Sequence, residues 1–272
     1  MLNARVAFAI AAGPPIVAAL FLLPPWGWKI LVAMVLVLVG WELLLLAGAM
    51  LGNATRRAAT GVPLVGVLVL MWALPERSQE LLLVVACAAW LLTFGWLLRP
   101  GFANRPEWLA KTAKGIVAAL FVLPAGLALA VLQARDPLWV LILFTLVWAA
   151  DISAYFSGKV IGGRRLAPRI SPGKTVAGLF GGVVAALLVA ALWLLGGPVA
   201  GPELLVSLAG SLALILVSVG GDLMASLLKR HAGVKDSSRL LPGHGGALDR
   251  LDSLLTTAPF FALATHWLSL AA

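Results

Sequence analysis

The sequence predicts an all-α integral membrane protein, a polytopic bundle of about nine transmembrane helices, on three observations. Hydrophobic residues make up 62% of the chain and charged residues 11%, less than half the charged share of an ordinary soluble domain. Apolar runs of near-spanning length recur from one end to the other, and the mean hydropathy is +1.04. No strand pattern, soluble domain or low-complexity tract interrupts them, and only helices or closed barrels satisfy backbone polar groups in lipid.

The runs are Val6–Leu22, Lys29–Leu51, Pro63–Leu74, Ser78–Leu98, Lys114–Gln133, Leu138–Tyr155, Thr175–Leu195, Glu203–Leu228 and Leu251–Leu270. Crossing the hydrocarbon takes about 20 residues, so Pro63–Leu74 is short for a span, and Gly13, Pro14 and Pro15 interrupt the first run. The first run lacks a basic leader and a small-residue cleavage site, so it reads as a span and not as a signal peptide. Residues 1–110 form a set of N-terminal transmembrane helices. Residues 111–272 form a C-terminal transmembrane catalytic region with polar loops at 158–175 and 229–250.

Positive charge orients the bundle, because cytoplasmic loops carry the excess of Lys and Arg. With nine spans, seventeen of the 20 basic residues fall on one side: Arg5, the Arg56–Arg57 pair, and the loops containing Arg99, Lys159 and Lys229. Lys29, Arg77 and Arg135 fall on the other. This places the N-terminus inside a cytoplasmic membrane and the C-terminus outside. Omitting Pro63–Leu74 reverses the N-terminus but leaves the loops at Arg99, Lys159 and Lys229 cytoplasmic. The net charge of +9 is therefore topology, and no basic domain or aromatic platform marks a nucleic-acid binder. Trp26, Trp28, Trp108 and Trp139 stand near span ends, as interfacial anchors do. The single cysteine, Cys87, excludes an intrachain disulfide.

Against this background the acidic residues stand out, because a carboxylate among apolar spans is expensive and points to function. Glu42, Asp151, Glu203 and Asp222 fall within or at the ends of spans. Gly220 and Gly221 before Asp222 leave room for a ligand or metal beside it. Asp151 shares a helical face with Tyr155. Glu42 has no polar companion in sequence and reads as a structural hydrogen-bonding residue, as does His266.

Between Lys229 and Asp252 eight charged residues are concentrated. Asp249 and Asp252 lie three apart at a helix start, where carboxylates also serve as caps. With Asp222 they make three carboxylates, a set suited to hard Mg²⁺ together with substrate phosphate oxygens. The Gly243-His244-Gly245-Gly246 loop beside a helix N-terminus offers N–H groups to a phosphate. No cysteine or second histidine sits at ligand spacing, which argues against zinc.

The loop from Gly158 to Thr175 is the second polar patch. Its end, Gly173-Lys174-Thr175, matches the close of a P-loop, but Pro168 stands where the first glycine belongs and no strand precedes it. Ser171, Lys174 and Thr175 still bring hydroxyls and an ammonium to a helix start. Arg164, Arg165 and Arg169 fit either this patch or anionic lipid headgroups.

Taken together, Ser226, Lys229-Arg230, Lys235-Asp236, Leu241-Pro242, His244-Gly245-Gly246, Asp249-Arg250 and Asp252 resemble the signature of the CTP-dependent phosphatidate cytidylyltransferases, the CDP-diacylglycerol synthases. Asp151, Ala154-Tyr155, Gly158, Ser171-Pro172 and Lys174-Thr175 are similar to that family's upstream motif. Ala247, Ala225 and Val176-Ala177-Gly178 depart from the pattern, the last two removing acidic residues frequent there.

The resemblance implies attack of phosphatidic acid on the α-phosphorus of CTP, releasing pyrophosphate, in a membrane-bound homodimer. It implies Mg²⁺ on Asp222 and Asp249 with Asp252 beside them, and phosphate contacts from Lys174, Lys229, Arg230, Lys235 and Arg250. Ser171, Thr175, Ser226, His244, Gly245, Gly246, Asp151 and Tyr155 would bind substrate. The alternatives are transfer from CTP to another lipid phosphate, such as an ether lipid or polyprenol derivative, and an ion-coupled transporter. The latter should show repeated halves, which are not visible.

Overall fold

A computed structural model describes residues 13–48, 54–104, 107–196, 204–240 and 245–271. Arg5, Arg105, Glu203 and His244 lie outside the described residues. The order is α1 (Gly13–Leu22), α2 (Pro25–Leu46), α3 (Ala54–Ala73), α4 (Glu76–Phe94), a 3₁₀ turn (Gly95–Leu98), α5 (Trp108–Arg135) and α6 (Pro137–Val160). There follow β1 (Arg165–Ala167), β2 (Ser171–Thr175), α7 (Val176–Gly196), α8 (Leu204–His231) and α9 (Leu248–Ala271). Within the described residues each apolar run is helical, so the chain is an all-α membrane protein. Among the described residues six helices, α2, α4, α5, α6, α7 and α8, are long and apolar enough to cross a membrane.

The hairpin corrects the expectation of no strands. β1 and β2 pair antiparallel, with Arg165 opposite Thr175 and Ala167 opposite Ser171. Ser171 and Lys174 therefore lie on a strand instead of in a helix. Thr175 links the two elements: its Oγ1 accepts from the Gly178 N–H at 3.0 Å and caps α7. The start of α6 is fixed similarly, by Asp136 accepting from the Leu138 N–H at 2.8 Å with Pro137 in the first turn.

In lipid, helices associate through close packing more than through hydrophobic driving force. α6 and α7 meet along small residues, and a Cβ at Gly178 would lie 2.7 Å from the Ala154 carbonyl oxygen. α5 is the centre of the larger core, with Phe121, Leu127 and Leu132 fully buried and Trp90 of α4 edge-on to Phe121 at 4.8 Å. Trp28 and Trp72 donate to the Leu129 and Gly126 carbonyls of α5, both at 3.0 Å. Trp28 is thus a buried brace, only 2% exposed, and not the interfacial anchor expected from its position. Trp139 is likewise part-buried, packed on Phe261, whereas Trp26 and Trp108 are exposed.

The two ends of the bundle carry different polar groups. At one end Arg135 hydrogen bonds His266 Nδ1 at 2.8 Å and His266 Nε2 reaches Glu80 at 3.1 Å, tying α5, α9 and the start of α4. At the other end His231 of α8 contacts the Pro100 carbonyl at 2.7 Å, and Glu42 near the end of α2 meets the start of α9. α2 and α4 both finish at this second end, so α3 runs back between them across the bundle. Its 20 residues span about 30 Å at 1.5 Å per residue.

Candidate active site

The junction between α8 and α9 is organised by two carboxylates. Glu42 is fully buried and accepts four hydrogen bonds, from Ser238 Oγ (2.6 Å), Ser237 Oγ (2.8 Å), Leu248 N (2.8 Å) and Ala247 N (2.9 Å). It closes the positive end of α9 and pins the loop before it. Asp249 lies in the first turn of α9, ahead of the apolar run. Its Oδ2 accepts from Ser237 N (2.8 Å), Gly246 N (2.9 Å) and Ser237 Oγ (3.0 Å), and its Oδ1 faces Lys229 Nζ at 2.5 Å. Burial pushes the Asp249 carboxyl up, but the Lys229 ammonium and the Gly246 and Ser237 N–H groups outweigh it and hold the carboxyl below its ordinary value.

Of the expected phosphate cradle, Gly243 and His244 lie outside the described residues, and Gly246 turns inward: its N–H serves Asp249, and a side chain there would collide with Ser237 and Glu42. The space at Gly220 and Gly221 is likewise taken by helix packing, from Phe94 of α4 and Thr256 of α9. Glu42 was read from the sequence as structural, and it is, but its partners come from about 195 residues away. An acidic residue alone in an apolar run was the one available signal.

Next to this junction a cavity of about 720 Å³ opens under the β1–β2 hairpin. Asp151, Tyr155, Lys174, Thr175 and Asp222 line it, with Ser253 of α9 at its floor. Lys174 pairs with Asp222, and Ser226 Oγ lies 3.4 Å from the same carboxylate. Asp252 is buried behind them, within electrostatic range of Asp222, Lys229, Lys174 and Asp151. Lys229 in turn senses Asp252, Asp249 and Asp222 together. Of the three carboxylates expected to hold Mg²⁺, Asp249 meets Lys229, Asp222 meets Lys174, and Asp252 lies within electrostatic range of both lysines.

The remaining residues divide. Arg230 is a tether: its Nε donates to the Ile170 carbonyl and its Nη1 to the Val234 carbonyl, both at 3.2 Å, joining α8 to the hairpin. Lys235 and Arg250 are exposed at the same end and do not line the cavity, nor does Ser171. Among the described residues no group of three His, Cys, Asp or Glu side chains is placed to hold a metal ion.

A carboxylate platform, paired lysines and a cavity at one end of a helical bundle suit transfer of a phosphate-bearing group. The sequence profile of the cytidylyltransferase family matches residues 3–268. The chain belongs to the cytidylyltransferase family. This cytidylyltransferase-family chain is 37% identical to the phosphatidate cytidylyltransferase of Pseudomonas aeruginosa over 271 residues, covering 96% of each chain. It is 33% identical to that of Haemophilus influenzae over 294 residues, covering 96% of this chain and 98% of the other. With the phosphatidate cytidylyltransferase of Bacillus subtilis the identity is 48% over 114 residues, 42% of each chain.

Proposed function

We propose that this chain transfers the cytidylyl group of CTP to phosphatidic acid, giving CDP-diacylglycerol and pyrophosphate for phospholipid synthesis. The end-to-end similarity to the Pseudomonas aeruginosa enzyme carries this reading. An oxygen of the lipid phosphate attacks the α-phosphorus of CTP. The bond from that phosphorus to the bridging oxygen breaks, and pyrophosphate leaves with the electron pair.

Mg²⁺ suits the chemistry of Asp222, Asp249 and Asp252, hard carboxylate oxygens that all lie within electrostatic range of Lys229. Asp249 is suited to this by having one oxygen clamped by backbone and the other held only by Lys229. Bound there, the ion would neutralise phosphate charge and orient the reacting oxygens. Lys174 and Lys229 supply positive charge to the substrates' phosphates, and Glu42 holds the start of α9 in register with α8.

The same reading places the protein in the cytoplasmic membrane with nine spans, the N-terminus inside, the C-terminus outside and the cavity facing the cytoplasm, as a homodimer. The polar partners at opposite bundle ends support α3 as a crossing helix. Reporter fusions after residues 46, 73 and 272 should report inside, outside and outside; an inside C-terminus contradicts this topology. Purified protein with phosphatidate, Mg²⁺ and radiolabelled CTP should release pyrophosphate and label the lipid in equal amounts. No lipid labelling by the purified protein overturns the function.

A further inference from the structure

The cavity carries more anion-binding groups than the carboxylate platform uses. Past the end of α6, Gly162 and Gly163 adopt φ of +67° and +84°, where L side chains are strained. Ile161 before them is in the right-handed helical region, so the turn passes from αR to αL, the backbone pattern that aims successive N–H groups at one anion. Neither glycine N–H donates to another backbone carbonyl across the loop. The space above both is open, for a Cβ at either would meet nothing within 4 Å. Both line the cavity.

Two cations flank this turn. Lys159, one helical turn past Tyr155, and Arg165, opposite Thr175 in the hairpin, line the same cavity, and neither has a carboxylate partner among the described residues. Arg164 and Arg169 do not line it. The hairpin thus separates one arginine of the three from the others by strand geometry. Lys174 differs from both, being paired with Asp222. The cavity therefore carries acidic groups at Asp151 and Asp222 and, separately, basic groups and free N–H donors at Lys159, Arg165, Gly162 and Gly163. Its volume of about 720 Å³ lies within the range that holds a nucleotide-sized ligand.

We infer that this cavity is the nucleotide subsite, and that the Gly162–Gly163 turn with Lys159 and Arg165 seats the β- and γ-phosphates, the pyrophosphate that leaves. This rests on the reading of CTP as donor. A single lipid phosphate does not require a second basic cluster beyond Lys174, whereas a triphosphate whose α-phosphorus lies near Asp222 carries two more phosphates that do. As the α-phosphorus loses its bridging oxygen, negative charge accumulates on the departing pyrophosphate. Donors fixed on that side stabilise the charge where it develops.

The test compares wild type with Lys159→Ala, Arg165→Ala and Arg165→Lys in phosphatidate mixed micelles. The readouts are KM for CTP, KM for phosphatidate and the inhibition constant of added pyrophosphate. Each alanine variant should raise both the CTP KM and the pyrophosphate inhibition constant about tenfold, with the lipid KM within about twofold of wild type. Arg165→Lys should recover part of the loss, as charge without the bidentate fork does. A rise in the lipid KM instead, or no change in either constant, overturns the assignment while wild-type activity stands. Wild type that releases no pyrophosphate from CTP overturns the functional reading itself. Thermal melting in detergent checks that each variant is folded.

Discussion

The two halves of the polar end are built in opposite ways. At the α8–α9 junction every oxygen of Glu42 and Asp249 meets a donor of the protein, so the region is closed and self-satisfied. Under the hairpin, Lys159 and Arg165 line the cavity with no carboxylate partner among the described residues, and the Gly162–Gly163 N–H groups have no backbone acceptor across the loop. Buried polar networks are stable when fully satisfied. A site that must take up charged substrates needs the reverse. The closed half fixes where the carboxylates stand, and the open half receives what they act on.

The comparison breaks most sharply at Asp222, which lines the cavity, pairs with Lys174 and lies within electrostatic range of Lys229. Asp222→Asn should lower the rate on the order of 10³-fold while leaving thermal stability nearly unchanged, measured by radiolabelled CTP turnover and by melting in detergent. Lys229→Met tests the closed half. It leaves Asp249, Asp252 and Asp222 without their shared ammonium and should destabilise the protein by about 4 kcal/mol. Guanidinium or heat titration of the detergent-solubilised protein reads this directly.

Glu42→Ala should cost about 3 kcal/mol, because two helix N–H groups and the Ser238 hydroxyl lose their acceptor in a buried site, while Ser237 keeps Asp249. Its kinetic signature should be a lowered kcat with the CTP KM little changed. The open half predicts the converse pattern for Lys159 and Arg165. Thr175→Val removes the α7 cap and should cost about 1 kcal/mol.

The smallest effect is acid sensitivity. Asp249 is held below its ordinary pKa in the folded state, so its stabilising contribution is complete above about pH 4 and is lost as pH falls through the depressed value. Asp249→Asn should flatten that acid limb in a pH series of melting temperatures.

How far the sequence foretold this follows from the same contrast. Within the described residues the apolar runs are helical, as they must be where lipid leaves the backbone no other way to satisfy its polar groups. Asp222, Asp249 and Asp252 were legible because carboxylates in such surroundings need a reason. What escaped depended on contacts between distant segments. Nothing in the sequence near residue 42 says that Ser237, Ser238, Ala247 and Leu248 will meet it. The hairpin escaped because Arg165–Ala167 is only three residues long and Ser171–Thr175 contains Pro172 and Gly173, which read as loop. Gly246 does donate to a carboxylate at a helix start, but that acceptor is the chain's own Asp249, which the glycines alone do not reveal.

The central claim is tested most directly by counting products. Purified protein given phosphatidate, Mg²⁺ and CTP labelled in both the α- and γ-phosphates should yield one lipid-bound α-label for each γ-labelled pyrophosphate, and Asp222→Asn should lower both rates together on the order of 10³-fold. Release of pyrophosphate without lipid labelling, or full activity in Asp222→Asn, would contradict the account.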